Sequence, residues 1–247
     1  MTVDEFALAA TTNDLTREPK ARDAADLLEF RLDSADEPIE QLAEYDGELP
    51  ILATNRSRWF GGEANDRGRL DQLMAAAEFD AVEKVDVELE TARGMQWVLE
   101  EFRDQDVELV ISFHEFDETP SQEVLDAIIA ECAEYGDIAK VATYAEDRSD
   151  CLRILSAIDT ATQQGIRAAG IAMGELGSHT RVIGPLYGSA LGYAPLESDS
   201  SEYAPGQIPL HRIDSLIKMI DESGADSRIF DQLDEEYPTQ QEVTQTE

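Results

Sequence analysis

The chain has 247 residues, 42% of them hydrophobic, enough for one large α/β domain or two small ones around a sizeable core. It carries 54 acidic against 19 basic residues, a formal net charge of −35, which is the wrong sign for binding nucleic acid or an anionic membrane. No apolar run approaches the roughly 18 residues of a membrane span, and two cysteines outside any CxxC pattern, Cys132 and Cys151, predict neither a disulfide nor a zinc site.

In chain order, short β-rich runs alternate with longer amphipathic stretches. The strand candidates are 6–12, 27–33, 49–56, 81–89, 107–114, 137–145, 165–174 and 188–196. The start, MTVDEFALAATTND, has no basic segment leading into a long apolar one, so no secretory leader is expected. Between the runs, GRLDQLMAAAEF, TARGMQWVLEEFRD, TPSQEVLDAIIAECAEYG and SDCLRILSAIDTATQQG place apolar residues every three or four positions, as one-sided helices require. Several strands are apolar on both faces, which suits a parallel sheet covered by helices. Eight strand–helix units in about 250 residues match the (β/α)8 TIM barrel. An open doubly wound sheet allows the same alternation, but no GxGxxG follows the first strand. A single barrel domain is expected over 1–230. The polar, acidic stretch 231–247, ending EEYPTQQEVTQTE, is expected to fray.

Charged residues gather at strand ends, which in a barrel is the catalytic face. LVISFH runs as a buried strand and stops at His114, one of three histidines. Beyond it Thr119 reads as a helix N-cap, Pro120 as the first helical residue and Gln122 as the second half of a capping box. Glu29, Arg31 and Asp33 alternate and so share a face of the second strand, while Arg56 ends the third. Lys140 interrupts the apolar strand DIAKVATYA, where a lysine is costly unless neutral or paired. Periodicity alone leaves open whether Lys84 also points inward. A neutral lysine attacks a carbonyl carbon to form an imine. A histidine shuttles protons at neutral pH, and arginines grip carboxylates with two parallel hydrogen bonds. The set points to Schiff-base chemistry on an anionic keto compound. A class I aldolase would use similar parts, and a non-catalytic acidic binding protein would make the set a coincidence.

The ordered motifs EFRLD (29–33), TNRSRWFGGE (54–63), VDVELE (85–90), SFHEFDETPS (112–121), IAKVA (138–142), MGELGSHTRVIGPLYGS (173–189) and YAPGQIP (203–209) carry a closer match. The chain resembles the type I 3-dehydroquinate dehydratases nearly end to end. The resemblance implies a TIM barrel, a homodimer and no metal or organic cofactor. It implies loss of water from 3-dehydroquinate to give 3-dehydroshikimate in the shikimate route to aromatic amino acids. Lys140 would form the Schiff base and His114 would be the general acid and base. Glu29, Arg31 and Arg56 would line the site, and Arg181 would take the substrate carboxylate. Gln207 would close over the substrate, and Met173 would pack near the imine. Two positions depart from the pattern. Phe60 stands before Gly61–Gly62, where the family usually has the glutamate that orients the histidine, with Glu63 three residues on. Tyr203 stands where serine is common, and its hydroxyl would reach a ligand from a different position.

Four lysines in such an acidic chain, Lys20, Lys84, Lys140 and Lys218, predict a salt-filled cytoplasm, as in a halophile. At 1 M salt the Debye length is about 3 Å and the self-repulsion of the surface is screened.

Overall fold

The computed structural model describes residues 6–196 and 206–225. Eight strands form one parallel sheet: β1 (Ala7–Thr12), β2 (Leu27–Arg31), β3 (Ile51–Thr54), β4 (Val82–Glu88), β5 (Glu108–Glu115), β6 (Ile138–Tyr144), β7 (Ala168–Met173) and β8 (Leu191–Pro195). Each of the first six pairs with the next in sequence, and β8 pairs with β1. The remaining seam, between β7 and β8, is bridged at Ala168 and Ser189, and the Ala190 N–H donates to the Ala168 carbonyl at 2.7 Å. The result is the expected (β/α)8 barrel, and all eight expected strands are present.

The crossovers are α1 (Pro38–Glu44), α2 (Arg69–Ala77), α3 (Leu89–Gly94), α4 (Gln96–Asp104), α5 (Gln122–Tyr135), α6 (Arg148–Gln163) and α7 (Thr180–Ile183). A tight 3-10 turn, Leu15–Lys20, connects β1 to β2, and α8 (Leu210–Ala225) follows β8. Strand residues alternate between two apolar layers. Phe30, Ile51, Val85, Ile111 and Val141 face outward into the helices. Ala9, Leu27, Leu52, Val110, Ile138 and Leu191 fill the inside of the barrel. Burial on both faces is what makes the strands read as near-continuous apolar runs.

Two local expectations are corrected. The single helix expected over 91–104 is two, because Met95 leaves helical geometry (φ −138°, ψ 56°) directly after Gly94, a weak helix former. The helix expected to begin at Pro120 with Thr119 as its N-cap begins at Gln122 with Ser121 as its N-cap. The Thr119 hydroxyl is used elsewhere: it bonds the Thr143 hydroxyl at 2.8 Å and donates to the Tyr144 carbonyl at 2.7 Å, tying the β5–α5 loop to β6. Pro120 also disfavours helical geometry for the residue before it. Gln122 donates to Asp126 rather than back to a cap. No helix among the described residues is long and apolar enough to cross a membrane. Residues 231–247 lie outside the described residues.

Candidate active site

The inward face of β6 carries Ile138, Lys140 and Ala142, and that of β5 carries Val110, Ser112 and His114. The register sets Lys140 beside Ser112 and His114 beside Ala142. His114 therefore stands one interior layer above Lys140, toward the carboxyl ends of the strands. Lys140 is 4% exposed, and its Nζ lies 3.0 Å from Oδ2 of Asp86 on β4. The lysine is thus accommodated by ion pairing, the second of the two expected routes.

Asp86 is the hub of the site. Its Oδ2 also meets Arg56 Nη2 at 2.7 Å, and its Oδ1 accepts from the Ser112 hydroxyl at 2.6 Å. Arg56 Nη1 donates to Ser112 Oγ at 2.7 Å and lies 3.6 Å from Glu88, which in turn pairs with Arg69 at 2.9 Å. Burial works against the Asp86 charge, yet Arg56 and Lys140 beside it hold its carboxyl well below the usual carboxylate range. Lys140, Asp86, Arg56, Glu88 and Arg69 form a buried chain of alternating charge with three cations and two anions.

Glu29 enters from β2, 6% exposed, and accepts from the hydroxyls of Thr11 at 2.7 Å and Thr54 at 3.1 Å. Both hydroxyls leave its remaining lone pairs for a ligand. Arg31 is held by Asp33 through two hydrogen bonds, at 2.8 and 2.6 Å. Glu29 and Arg31 on β2 thus lie beside the end of β3, which Arg56 follows.

The imidazole of His114 is half-buried and lies against Phe116, ring centroids 6.1 Å apart and 17° from parallel. Burial, reinforced by the charges of Arg56 and Lys140, pushes its pKa well below the ordinary value, so the ring is neutral at pH 7. Its Nδ1 has no hydrogen-bond partner among the described residues. Phe60 ends a short 3-10 turn, Arg58–Phe60, and Glu63 is exposed, its N–H donating to Asp33. No described carboxylate hydrogen-bonds His114, whose nearest described ring neighbour is Phe116. Gly62 packs so closely that a Cβ would meet the Arg56 carbonyl oxygen at 2.0 Å, which seats this loop on the arginine.

Arg181 comes from α7, anchored where the buried Thr180 hydroxyl donates to the Gly177 carbonyl at 2.7 Å. The one hydrogen bond of its guanidinium among the described residues is to the Tyr193 carbonyl at 3.4 Å, and its Nε is buried without one. Burial with no anion to offset it lowers its pKa to about 10. Met173 is at the carboxyl end of β7, packed against the inner apolar layer. Gln207 follows Gly206, which has φ +85° and approaches so closely that a Cβ would lie 2.0 Å from the Gly174 carbonyl oxygen. Glycine is therefore required there, and it brings the loop after β8 against the end of β7. The Gln207 Oε1 is buried without a partner among the described residues. Tyr203 lies outside the described residues.

Lys84 shares the inward face of β4 with Asp86 but sits one layer below it, toward the end of the barrel opposite the site. It pairs with Glu108 at the amino-terminal end of the barrel at 2.5 Å, and Glu108 also holds Arg167 at 2.8 Å. The sequence reading missed Asp86, Ser112, Glu88, Arg69 and Tyr193. An acidic residue at every second position of VDVELE was the available signal for Asp86 and Glu88. Among the described residues, no group of three or more His, Cys, Asp or Glu side chains is placed to hold a metal ion.

The family model described as type I 3-dehydroquinase matches residues 8–223. The 3-dehydroquinate dehydratase of Haloarcula marismortui is 43% identical over 223 residues, covering 88% of this chain and 97% of that one. That of Halobacterium salinarum is 42% identical over 224 residues, covering 88% and 98%. The crystal structure of 3-dehydroquinate dehydratase from Geobacillus kaustophilus superimposes with a TM-score of 0.75 at 32% identity, over 87% of this chain and 91% of that one. With matches of this extent on a barrel whose mouth presents a buried lysine beneath a neutral histidine, the chain belongs to the type I 3-dehydroquinate dehydratases, hydro-lyases of the shikimate pathway that act through a Schiff base.

Proposed function

We propose that Lys140 is the residue that forms the imine with the C3 ketone of 3-dehydroquinate, and that His114 moves the protons. The observation that carries this reading is the placing of Lys140: buried, ion-paired to Asp86 and one layer below a neutral imidazole. Asp86 fixes the ammonium between turnovers. With its carboxyl held so low, it is a poor acceptor for the ammonium proton, and the neutral His114 is the better base. The freed amine adds to the ketone, and His114 returns the proton to the carbinolamine hydroxyl, which leaves as water to give the protonated imine. That cation acidifies the C2 hydrogen, which His114 removes to leave an enamine. The enamine expels the C1 hydroxyl, protonated by His114, as water. A second water hydrolyses the imine and releases 3-dehydroshikimate and Lys140. The excess positive charge of the buried network favours an anionic substrate, and Asp86 offsets the charge that stays on the imine nitrogen.

Arg181 is the group that takes the substrate carboxylate, since it is a buried guanidinium whose only described hydrogen bond is to one carbonyl. Glu29, Arg31 and Arg56 bind the ring hydroxyls, Met173 packs near the imine, Gln207 closes the site from the loop after β8, and Tyr203 is a further substrate-binding residue. The active form is a homodimer, a reading that rests on the family resemblance alone, and it works in a salt-rich cytoplasm, a reading supported by the acidic composition and by the haloarchaeal relatives. Arg181→Ala is expected to raise KM for 3-dehydroquinate by about 100-fold or more, on the scale of losing a bidentate charged contact. Arg181→Lys should recover only part, because an ammonium lacks the fork. Steady-state kinetics in molar KCl decide this, and a native KM for Arg181→Ala would remove the arginine from the site.

A further inference from the structure

Among the described residues, the barrel interior holds a buried, unpartnered hydroxyl that the reaction as described leaves unused. Tyr193, on β8, is 7% exposed and belongs to the inner apolar layer with Ala9, Ala169 and Leu191. Its ring is the platform beneath the lysine: Lys140 Nζ lies 3.9 Å from the ring centroid, within the range of a cation–π contact. Its backbone carbonyl accepts from Arg181 at 3.4 Å. Its hydroxyl is buried and has no hydrogen-bond partner among the described residues. Burial, followed by the charges of Asp86 and Glu29, holds the phenol well above its ordinary pKa, so the group remains an O–H donor at any pH the enzyme meets. A buried hydroxyl that donates to nothing is destabilising, and a phenylalanine would fill the same space without that cost. An orphaned donor among Glu29, Asp86 and Lys140 is therefore best explained by a bond made only when a ligand is present.

We propose that Tyr193 is a substrate-contacting residue: its ring face supports the cationic nitrogen of Lys140, as ammonium and then as protonated imine, and its O–H donates to a ring oxygen of bound 3-dehydroquinate. The proposal rests on Lys140 being the imine lysine. It adds a donor from β8 to a wall otherwise built of acceptors and permanent cations, and it makes one residue touch the lysine through its ring and the carboxylate-binding arginine through its backbone. Tyr193 would thereby help select a hydroxylated ring of the right size, because the donor is satisfied only when an oxygen sits over it.

Two substitutions in the full chain, assayed in molar KCl, separate the parts. Tyr193→Phe keeps the ring and removes the hydroxyl. It is expected to raise KM about tenfold with kcat within a few-fold, and to leave the ligand-free melting temperature unchanged or higher. Tyr193→Leu also removes the aromatic face and is expected to lower kcat at least tenfold further. A native KM in Tyr193→Phe overturns the proposal. So does a raised KM accompanied by a lower ligand-free melting temperature, since that places the hydroxyl bond within the fold. Borohydride labelling in the presence of 3-dehydroquinate keeps the two readings apart. A label on Lys140 with native kinetics in Tyr193→Phe refutes the tyrosine alone, whereas a wild-type label elsewhere than Lys140 refutes the lysine assignment and this proposal with it.

Discussion

At the scale of single residues, the site works by giving neighbouring groups opposite charge states. His114 is neutral because it is half-buried beside Arg56 and Lys140, while Asp86 stays ionised because those same cations neighbour it. A depressed histidine pKa has a definite sign in the pH profile. The imidazole takes up its proton only well below the ordinary value of 6.5, so the base remains competent into mildly acidic solution. The acid limb of kcat/KM is therefore expected below pH 6.5, and a limb at or above that value would contradict the assignment. His114→Ala is expected to lower kcat by about 10² to 10⁴ and to let the covalent adduct accumulate, because imine formation needs the histidine less than proton abstraction and hydrolysis do. Stopped-flow quench followed by intact-mass measurement reads both effects.

At the scale of elements, the strands were legible and the loops less so. Several strands are buried on both faces, which leaves an apolar run that any periodicity argument finds. Glu29, Arg31, Arg56, His114 and Lys140 stood out because each interrupts or ends such a run. Asp86 and Tyr193 did not. The first alternates with valines in a strand already rich in acids, and the second reads as one more large residue in GSALGYAPL. Only the closed barrel shows that both reach Lys140, Asp86 through its carboxylate and Tyr193 through its ring. Thr119 misled because a threonine before proline looks like a helix cap until its hydroxyl is seen bonded to β6. The loop after β8 gives an element-scale prediction. Gly206 has a positive φ and no room for a Cβ against Gly174. Gly206→Ala adds about 1–2 kcal/mol of backbone strain to a direct clash, so the loop should shift and carry Gln207 with it. KM is expected to rise about tenfold or more while the melting temperature of the barrel falls little; thermal melts beside kinetics test this, and unchanged KM would show that the loop does not contribute to binding.

At the scale of the whole molecule, a formal charge of −35 surrounds a pocket whose buried network is net positive. At low ionic strength the surface repels both itself and an anionic substrate. At 1 M salt the Debye length of about 3 Å screens the distant carboxylates, whereas contacts inside a partly dry pocket are screened far less. Melting temperature and kcat/KM are both expected to rise from low to molar KCl, and a flat melting temperature would contradict this. The central claim, that this charged barrel does its chemistry through an imine on Lys140, is tested most directly on the intact protein. Borohydride reduction in molar KCl with 3-dehydroquinate present, followed by intact-mass and peptide mapping, is expected to give one adduct per chain, on Lys140, absent from Lys140→Ala along with turnover. An adduct on Lys84, or near-native activity in Lys140→Ala, would contradict the account.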